Sequence, residues 1–278
     1  MKERACRFGP ELSLVGILSE PVANDLRPDF PTVLMLNAGL LHRVGPHRMS
    51  VTLARRLADY GIPSLRFDVG GYGDSIVSTD AKSEESRIVS DIKSAMDFLE
   101  HERAVHRFVL FGNCSGADNV HEVALLDPRV VGAILLDAHG YWTPRSYAKH
   151  YLPRVFRTQT WINLARRSFA GLKKTPGKRV ALLPQLRRPF GPRSQVEREI
   201  QSLVDRGARL LYLYTGGVED YYNYAGQFFD QFNGLDPRGN IEVEYYPNAD
   251  HTYTFAEDRE RMLQRVVEWC RSRTWNAK

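Results

Sequence analysis

A repeated alternation between short apolar runs and longer amphipathic segments constrains the fold of this chain most strongly. Residues 32–37 (TVLMLN) and 130–136 (VVGAILL) are continuous apolar runs, which is typical of strands buried on both faces. Residues 12–18 instead alternate, which indicates an early antiparallel strand. Strands that alternate with helices favour parallel pairing, so the sequence predicts an α/β fold with a mainly parallel central sheet.

The same patterns locate the remaining elements. Further strands are predicted at residues 64–67, 107–111, 209–214 and 241–246, and helices at residues 49–60, 86–100, 117–126 and 258–273. No apolar run approaches the roughly 18 residues of a membrane span, and the first residues lack the apolar stretch of a signal peptide. The three cysteines show no metal-type spacing. We therefore expect a cytoplasmic protein without a metal, a cofactor or a disulfide framework.

The charge distribution indicates an insertion. Residues 138–196 contain thirteen Lys and Arg residues and no Asp or Glu, whereas the rest of the chain has 25 basic against 33 acidic residues. Predicted strands flank this stretch on both sides. We therefore expect one α/β core formed by residues 1–140 and 208–278, with a basic helical cap at residues 141–207 inserted between two strands.

The strongest chemical signal is the sequence Gly112-Asn113-Cys114-Ser115-Gly116, between a predicted strand and a predicted helix. This is the context of a nucleophile elbow, G-x-S-x-G, with Cys in the place of Ser. The glycines remove side chains that would collide in the tight turn, and the helix N-terminus favours a thiolate and an oxyanion. We predict Cys114 as the nucleophile; Ser115 is the alternative, but the elbow register assigns it an oxyanion-binding backbone N–H instead.

An elbow nucleophile needs a base and an acid that orients this base, in the chain order nucleophile, acid, His. Asp220 follows the strand at 209–214, and His251 follows the strand at 241–246. In open α/β sheets, binding and catalytic sites form at the carboxyl ends of the strands. We predict His251 as the base and Asp220 as the acid, with Glu219 as the competing acid.

The loop after residues 32–37 matches the loop that supplies the second oxyanion donor. We predict the backbone N–H of Gly39 as this donor, with the N–H of the next residue, Leu40, as the alternative. Leu40, His42 and Trp142 are predicted to contact the substrate. For His42 the alternative is that it structures its own loop. Trp142 is expected to line an apolar acyl pocket together with other aromatic residues of the cap.

Together these motifs resemble the α/β-hydrolase superfamily. The matching segments are NAGLLHRVGPHR, RFDVGGYGDS, GNCSGA, GGVED and NADHTYTF. The closest similarity is to exosortase-associated hydrolases and their biosynthetic-cluster relatives. That resemblance implies the α/β-hydrolase fold with a cap, a Cys nucleophile at Cys114, a base at His251 and an acid at Asp220. RFDVGGYGDS resembles a structural turn of the superfamily, so no catalytic role is implied for Asp68 or Ser75.

These features predict an acyl hydrolase or acyltransferase that forms an acyl-cysteine intermediate. A cysteine nucleophile suits thioester donors, because exchange between thioesters is nearly isoenergetic. The substrate is expected to be a small-molecule acyl ester or thioester, and the basic cap fits docking of an acidic acyl carrier protein or the phosphates of coenzyme A. The alternatives are a simple carboxylesterase and a non-catalytic binding module; no motif supports nucleic-acid binding, and the oligomeric state stays open.

Overall fold

A computed structural model describes residues 1–22, 26–27, 30–79, 83–155, 191–272 and 275. The described residues form one sheet of eight strands in the order β1-β2-β4-β3-β5-β6-β7-β8. The strands are β1 Lys2–Phe8, β2 Leu14–Glu20, β3 Thr32–Met35, β4 Ser64–Asp68, β5 Phe108–Asn113, β6 Val130–Leu136, β7 Arg209–Thr215 and β8 Ile241–Tyr246. β2 pairs antiparallel with both β1 and β4, and the other neighbours pair in parallel. The predicted α/β fold with a mainly parallel sheet is thus confirmed.

Helices cover both faces of the sheet. They are α1 Met49–Asp59, α2 Glu84–Arg103, α3 Ser115–Leu126, α4 Pro144–Val155, α5 Arg193–Asp205, α6 Gln227–Gln231 and α7 Ala256–Arg271. Two apolar clusters lie on opposite faces, and β5 shows how one strand serves both. Phe108 and Leu110 join the cluster with α2, α3 and α5, while Val109 and Phe111 join the cluster with α1 and α7. Burial on both faces explains the continuous apolar runs of the central strands.

Strand β1 was not among the predicted elements. Its sequence KERACRF is rich in charge, because the strand lies at the edge of the sheet and four of its residues are exposed or half-buried before Cys6. Charged edge strands prevent pairing with other chains, but their sequences lose the apolar signal by which buried strands are recognised.

The predicted cap begins and ends with helices. α4 follows β6, and α5 precedes β7, while residues 156–190 and most of the basic side chains predicted for the cap lie outside the described residues. Val196, Ile200 and Leu203 of α5 are at most 2% exposed and belong to the same apolar cluster as β5 and β6. The end of the predicted cap therefore packs on the sheet. No helix of the described residues has the length and apolar character needed to cross a membrane.

Candidate active site

Cys114 occupies a sharp turn between β5 and α3. Its φ of 57° and ψ of −123° lie outside the regions that side-chain-bearing residues favour. Such a conformation costs free energy and persists only where the surroundings impose it. Here the Cys114 N–H donates to the Leu136 carbonyl at 3.1 Å, and its own carbonyl accepts the first hydrogen bonds of α3. The half-buried thiol is thereby held at the N-terminus of a helix.

The two glycines of the elbow are required by backbone contacts. A Cβ atom on Gly112 would overlap the backbone of Gly116 and lie 2.7 Å from the Ala117 nitrogen. A Cβ atom on Gly116 would lie 2.5 Å from the carbonyl oxygen of Asn37. Because these neighbours are backbone atoms, no side-chain rotation can relieve the overlap. The steric reason inferred from G-x-C-x-G thus holds in the structure.

We expect Gly112→Ala to lower the free energy of unfolding by about 2–3 kcal/mol, because the added methyl group must displace backbone. The matched control is Gly226→Ala, whose Cβ would meet only the Tyr224 ring at 3.8 Å and whose φ of −85° suits alanine. This control should stay within about 0.5 kcal/mol of the wild type. Urea denaturation measures both, and equal midpoints for the two variants would contradict the steric explanation.

His251 lies in the loop after β8, and this loop is held by close backbone contacts. A Cβ on Gly217 would overlap the backbone nitrogen of His251, and a Cβ on Gly216 would overlap the Pro247 carbonyl. The Gly217 N–H also donates to the Ala249 carbonyl at 3.1 Å. The Gly-Gly turn after β7, which the sequence associated with the acid, therefore serves to seat the histidine loop.

The carboxylate that binds His251 is Asp137. The distance from His251 Nδ1 to Asp137 Oδ2 is 2.7 Å, and the Asp137 side chain is fully buried. Asp137 directly follows β6, one strand away from the elbow strand β5. With Nδ1 committed to Asp137, Nε2 is the nitrogen left to serve Cys114, and His251 and Cys114 are joined by a side-chain hydrogen bond.

The prediction that Asp220 is the acid is corrected by this geometry. Asp220 and the competing Glu219 are both exposed and follow the short 3₁₀ turn Gly216–Val218. His251 Nδ1 is already bound to Asp137, so neither carboxylate has the orienting position. Asp137 satisfies the same order in the chain, nucleophile, acid, His, and the same strand-end rule. The position directly after the apolar run at 130–136 was the available signal.

The protonation of His251 reflects its two partners. Burial of the imidazole lowers its pKa, but hydrogen bonds with Asp137 and Cys114 and the negative charges of both outweigh burial. Together they raise the pKa of His251 from its usual 6.5 to about 10. The ring is therefore cationic at neutral pH when Cys114 is a thiolate. A thiolate at Cys114 and an imidazolium at His251 would each stabilise the charge of the other.

This pairing predicts how alkylation of Cys114 depends on pH. In the wild type, iodoacetamide should react with Cys114 almost as fast at pH 7 as at pH 8.5, because His251 keeps its proton up to about pH 10. In His251→Ala the thiol has lost its cationic partner, so we expect the ordinary cysteine pKa of about 8.5. The rate at pH 7 should then lie roughly thirtyfold below the plateau that this variant reaches at high pH. Burial raises the pKa of Cys6 and raises that of Cys270 to about 12, so labelling should map to Cys114 alone. Equal pH profiles for the wild type and His251→Ala would refute the pairing.

The two predicted oxyanion donors lie next to each other. The Gly39 N–H donates to the Ser115 hydroxyl at 2.9 Å. Ser115 is the first residue of α3, where a backbone N–H has no acceptor within the helix. The Ser115 hydroxyl is therefore engaged with the loop after β3, while Cys114 holds the elbow position. This arrangement favours Cys114 over Ser115 as the nucleophile.

The residues predicted to contact substrate differ in their surroundings. Leu40 is 63% exposed. His42 lies 3.3 Å from Asp74 and 3.5 Å from Asp68, which agrees with the loop-structuring alternative. Trp142 is half-buried and stacks on Tyr147 with ring centroids 4.6 Å apart. A substrate contact remains a prediction for all three residues.

Asp68 anchors the loop after β3. Its fully buried carboxylate accepts hydrogen bonds from the Asn37 amide at 2.9 Å and from the Arg43 N–H at 2.6 Å, and it pairs with the Arg43 guanidinium. Among the described residues, His42, Asp68 and Asp74 also form the one trio of metal-ligand type. The Arg43 guanidinium binds both carboxylates of that trio, so the positive charge that a metal ion would bring is already supplied by Arg43. These contacts give Asp68 a structural part in holding the loop after β3.

Comparison with known proteins adds evidence on the fold. No protein-family model matches the chain, and no curated protein matches it. An esterase of Pyrococcus furiosus matches with a TM-score of 0.61 at 16% identity, over 98% of this chain and 90% of the esterase. A carboxylesterase of Bacillus subtilis matches with a TM-score of 0.57 at 20% identity, over 96% and 91%. The chain has the α/β-hydrolase fold.

A third α/β-hydrolase structure is described as an a/b serine hydrolase without lid, from Xanthomonas campestris. It matches with a TM-score of 0.57 at 12% identity, over 100% of this chain and 97% of that one. At these identities the likeness extends to the fold alone. On this α/β-hydrolase fold the present chain carries Cys114 at the elbow and Asp137 beside His251.

Proposed function

We propose that this chain is an acyl hydrolase or acyltransferase in which Cys114, His251 and Asp137 act as a catalytic triad. One observation carries the proposal: a continuous chain of hydrogen bonds runs from the buried Asp137 through His251 to Cys114. A nucleophile, a base and an orienting acid in such a line are the elements of nucleophilic acyl transfer. The fold agrees, because its structural neighbours include proteins named as esterases.

In the first half-reaction, the Cys114 thiolate attacks the carbonyl carbon of an ester or thioester. The negative charge moves to the carbonyl oxygen. In this proposal the backbone N–H groups of Ser115 and Gly39 bind that oxygen, once the Ser115 hydroxyl, which accepts from the Gly39 N–H, turns away. The His251 imidazolium gives its proton to the leaving alcohol or thiol, and the acyl group remains on Cys114 as a thioester.

In the second half-reaction, neutral His251 removes a proton from water, an alcohol or an amine as that group attacks the acyl-cysteine. The thiolate of Cys114 leaves, and the imidazolium is restored. Asp137 stabilises that imidazolium through the bond to Nδ1 and holds the tautomer that presents Nε2 to Cys114. Each cycle thus returns the ion pair with which it began.

The preferred donor in this proposal is a thioester. A thiolate exchanges with an incoming thioester at nearly equal free energy, whereas attack on an ester must expel a more basic alkoxide. The resemblance to exosortase-associated and biosynthetic-cluster hydrolases with a Cys nucleophile supports the same choice. A reducing cytoplasm would keep Cys114 usable, and the basic stretch at residues 138–196 would attract a carrier protein or coenzyme A.

The test is the intact mass of the protein after incubation with acyl thioesters, carrier-bound and coenzyme A-bound, beside simple esters of the same acyl group. We expect an acyl adduct that peptide mapping assigns to Cys114 and that forms faster from thioesters. Faster adduct formation from esters would instead support a carboxylesterase. No adduct and no turnover with any donor would point to a non-catalytic binding module.

A further inference from the structure

The last residue of β7, Thr215, directs both of its polar groups at Asp137. Its backbone N–H donates to Asp137 Oδ1 at 2.7 Å, and its hydroxyl donates to Asp137 Oδ2 at 2.8 Å. Both residues are fully buried. Thr215 therefore forms a hydrogen bond with each oxygen of the Asp137 carboxylate, and these two bonds restrict rotation about the Cβ–Cγ bond.

Thr215 receives the carboxylate because the backbone of Asp137 turns out of β6. The φ of Asp137 is 50°, a left-handed conformation that aspartate adopts more readily than most residues. Its N–H donates to the Leu213 carbonyl at 2.8 Å, which continues the pairing of Leu136 with Leu213 by one residue. This bend carries the side chain from the end of β6 across to the end of β7.

The hydroxyl of Thr215 and the imidazole of His251 share one acceptor. Asp137 Oδ2 binds the Thr215 hydroxyl at 2.8 Å and His251 Nδ1 at 2.7 Å. Two donors on one oxygen draw on the same negative charge. The hydroxyl therefore weakens the hold of Asp137 on the imidazolium while it keeps the oxygen in place.

We propose that Thr215 is a positioning residue: its backbone N–H holds Asp137 Oδ1 so that the carboxylate faces His251, and its hydroxyl lowers the proton affinity of the imidazole by sharing Oδ2. The inference rests on the proposed function, because it concerns the same triad. The end of β7, after which the sequence predicted the acid, thus supplies the residue that holds the acid Asp137 in place.

The test is the rate of Cys114 alkylation by iodoacetate between pH 6 and pH 11. This anionic reagent is attracted by the imidazolium, so the rate should fall at high pH as His251 loses its proton. In Thr215→Val, which replaces the hydroxyl by a methyl group and keeps the backbone N–H, we expect His251 to bind its proton three- to tenfold more tightly. The alkaline fall then moves to higher pH, while Thr215→Ser should follow the wild type.

An alkaline fall that stays in place or moves to lower pH in Thr215→Val would overturn the assignment. Thr215→Ala removes the same hydroxyl without adding a methyl group and carries the same expectation if valine does not fit. Absence of Cys114 labelling in the wild type would overturn the proposed function together with this inference. If Cys114 is labelled but the alkaline fall in rate occurs at the same pH in Thr215→Val as in the wild type, only the role of Thr215 is overturned.

Discussion

Replacement of Cys114 by alanine is expected to abolish acyl transfer, with a loss of about 10⁴-fold or more in turnover. In the proposed mechanism the Cys114 sulfur carries the acyl group, and the neighbouring Ser115 cannot replace it, because Ser115 is the first residue of α3 and does not occupy the elbow turn. The measurement is turnover of the best acyl thioester, together with the mass of the trapped adduct.

The matched control for this variant is Cys6→Ala. Cys6 is buried in the edge strand β1 and donates only weakly, through its thiol, to the Gly16 carbonyl at 3.5 Å. Its loss should leave turnover within about twofold of the wild type, since it lies on a strand far along the sheet order from β5. Turnover at wild-type rates in Cys114→Ala would remove the central claim, whatever the control shows.

Replacement of Asp137 by asparagine is expected to lower turnover by about 10²–10⁴-fold. The amide is isosteric but neutral, so it no longer stabilises the imidazolium. Its NH₂ group can also donate to Nδ1, which would place the ring proton on Nε2 and point it at Cys114. The ring would then be unable to accept a proton from the attacking group.

Asp220→Asn is the matched control for the acid. This side chain is exposed, and His251 Nδ1 is bound to Asp137 instead, so we expect turnover within about twofold of the wild type. Thermal unfolding of both variants separates loss of activity from loss of structure. A large loss in Asp220→Asn with little loss in Asp137→Asn would return the acid to the loop after β7.

The elbow was predictable from the sequence because its motif is local. Gly112, Cys114 and Gly116 lie within five residues of one another, between an apolar run and a helix. The overlap that excludes a side chain at Gly112 involves backbone of the same turn, whereas the overlap at Gly116 involves Asn37 in the loop after β3, so the motif is local although one of its steric causes is not. His251 was predicted as the base for a similar reason, since it lies in the short loop after the strand β8.

The carboxylate that binds His251 was not predictable in this way, because the hydrogen bonds that place Asp137 join the end of β6 to the end of β7. Asp137 and Asp220 both follow strand ends, and both stand between nucleophile and histidine in the chain. The choice is made by the left-handed bend at Asp137 and by the two hydrogen bonds from Thr215. Neither leaves a pattern in the sequence, since the partners are 78 residues apart.

The sequence by itself therefore determined the class of fold, the parallel core and the elbow turn, because the patterns that indicate them lie within a few neighbouring residues. It also predicted His251 as the base, a role that belongs to the proposed function. Only the tertiary structure decided which carboxylate serves His251 and which residue holds that carboxylate. Those decisions depend on the register of β6 against β7 and on the burial of Asp137 among donors from distant parts of the chain. A buried carboxylate needs hydrogen-bond donors close to it, and only the folded sheet brings the donors of β7 and of the loop after β8 to the end of β6.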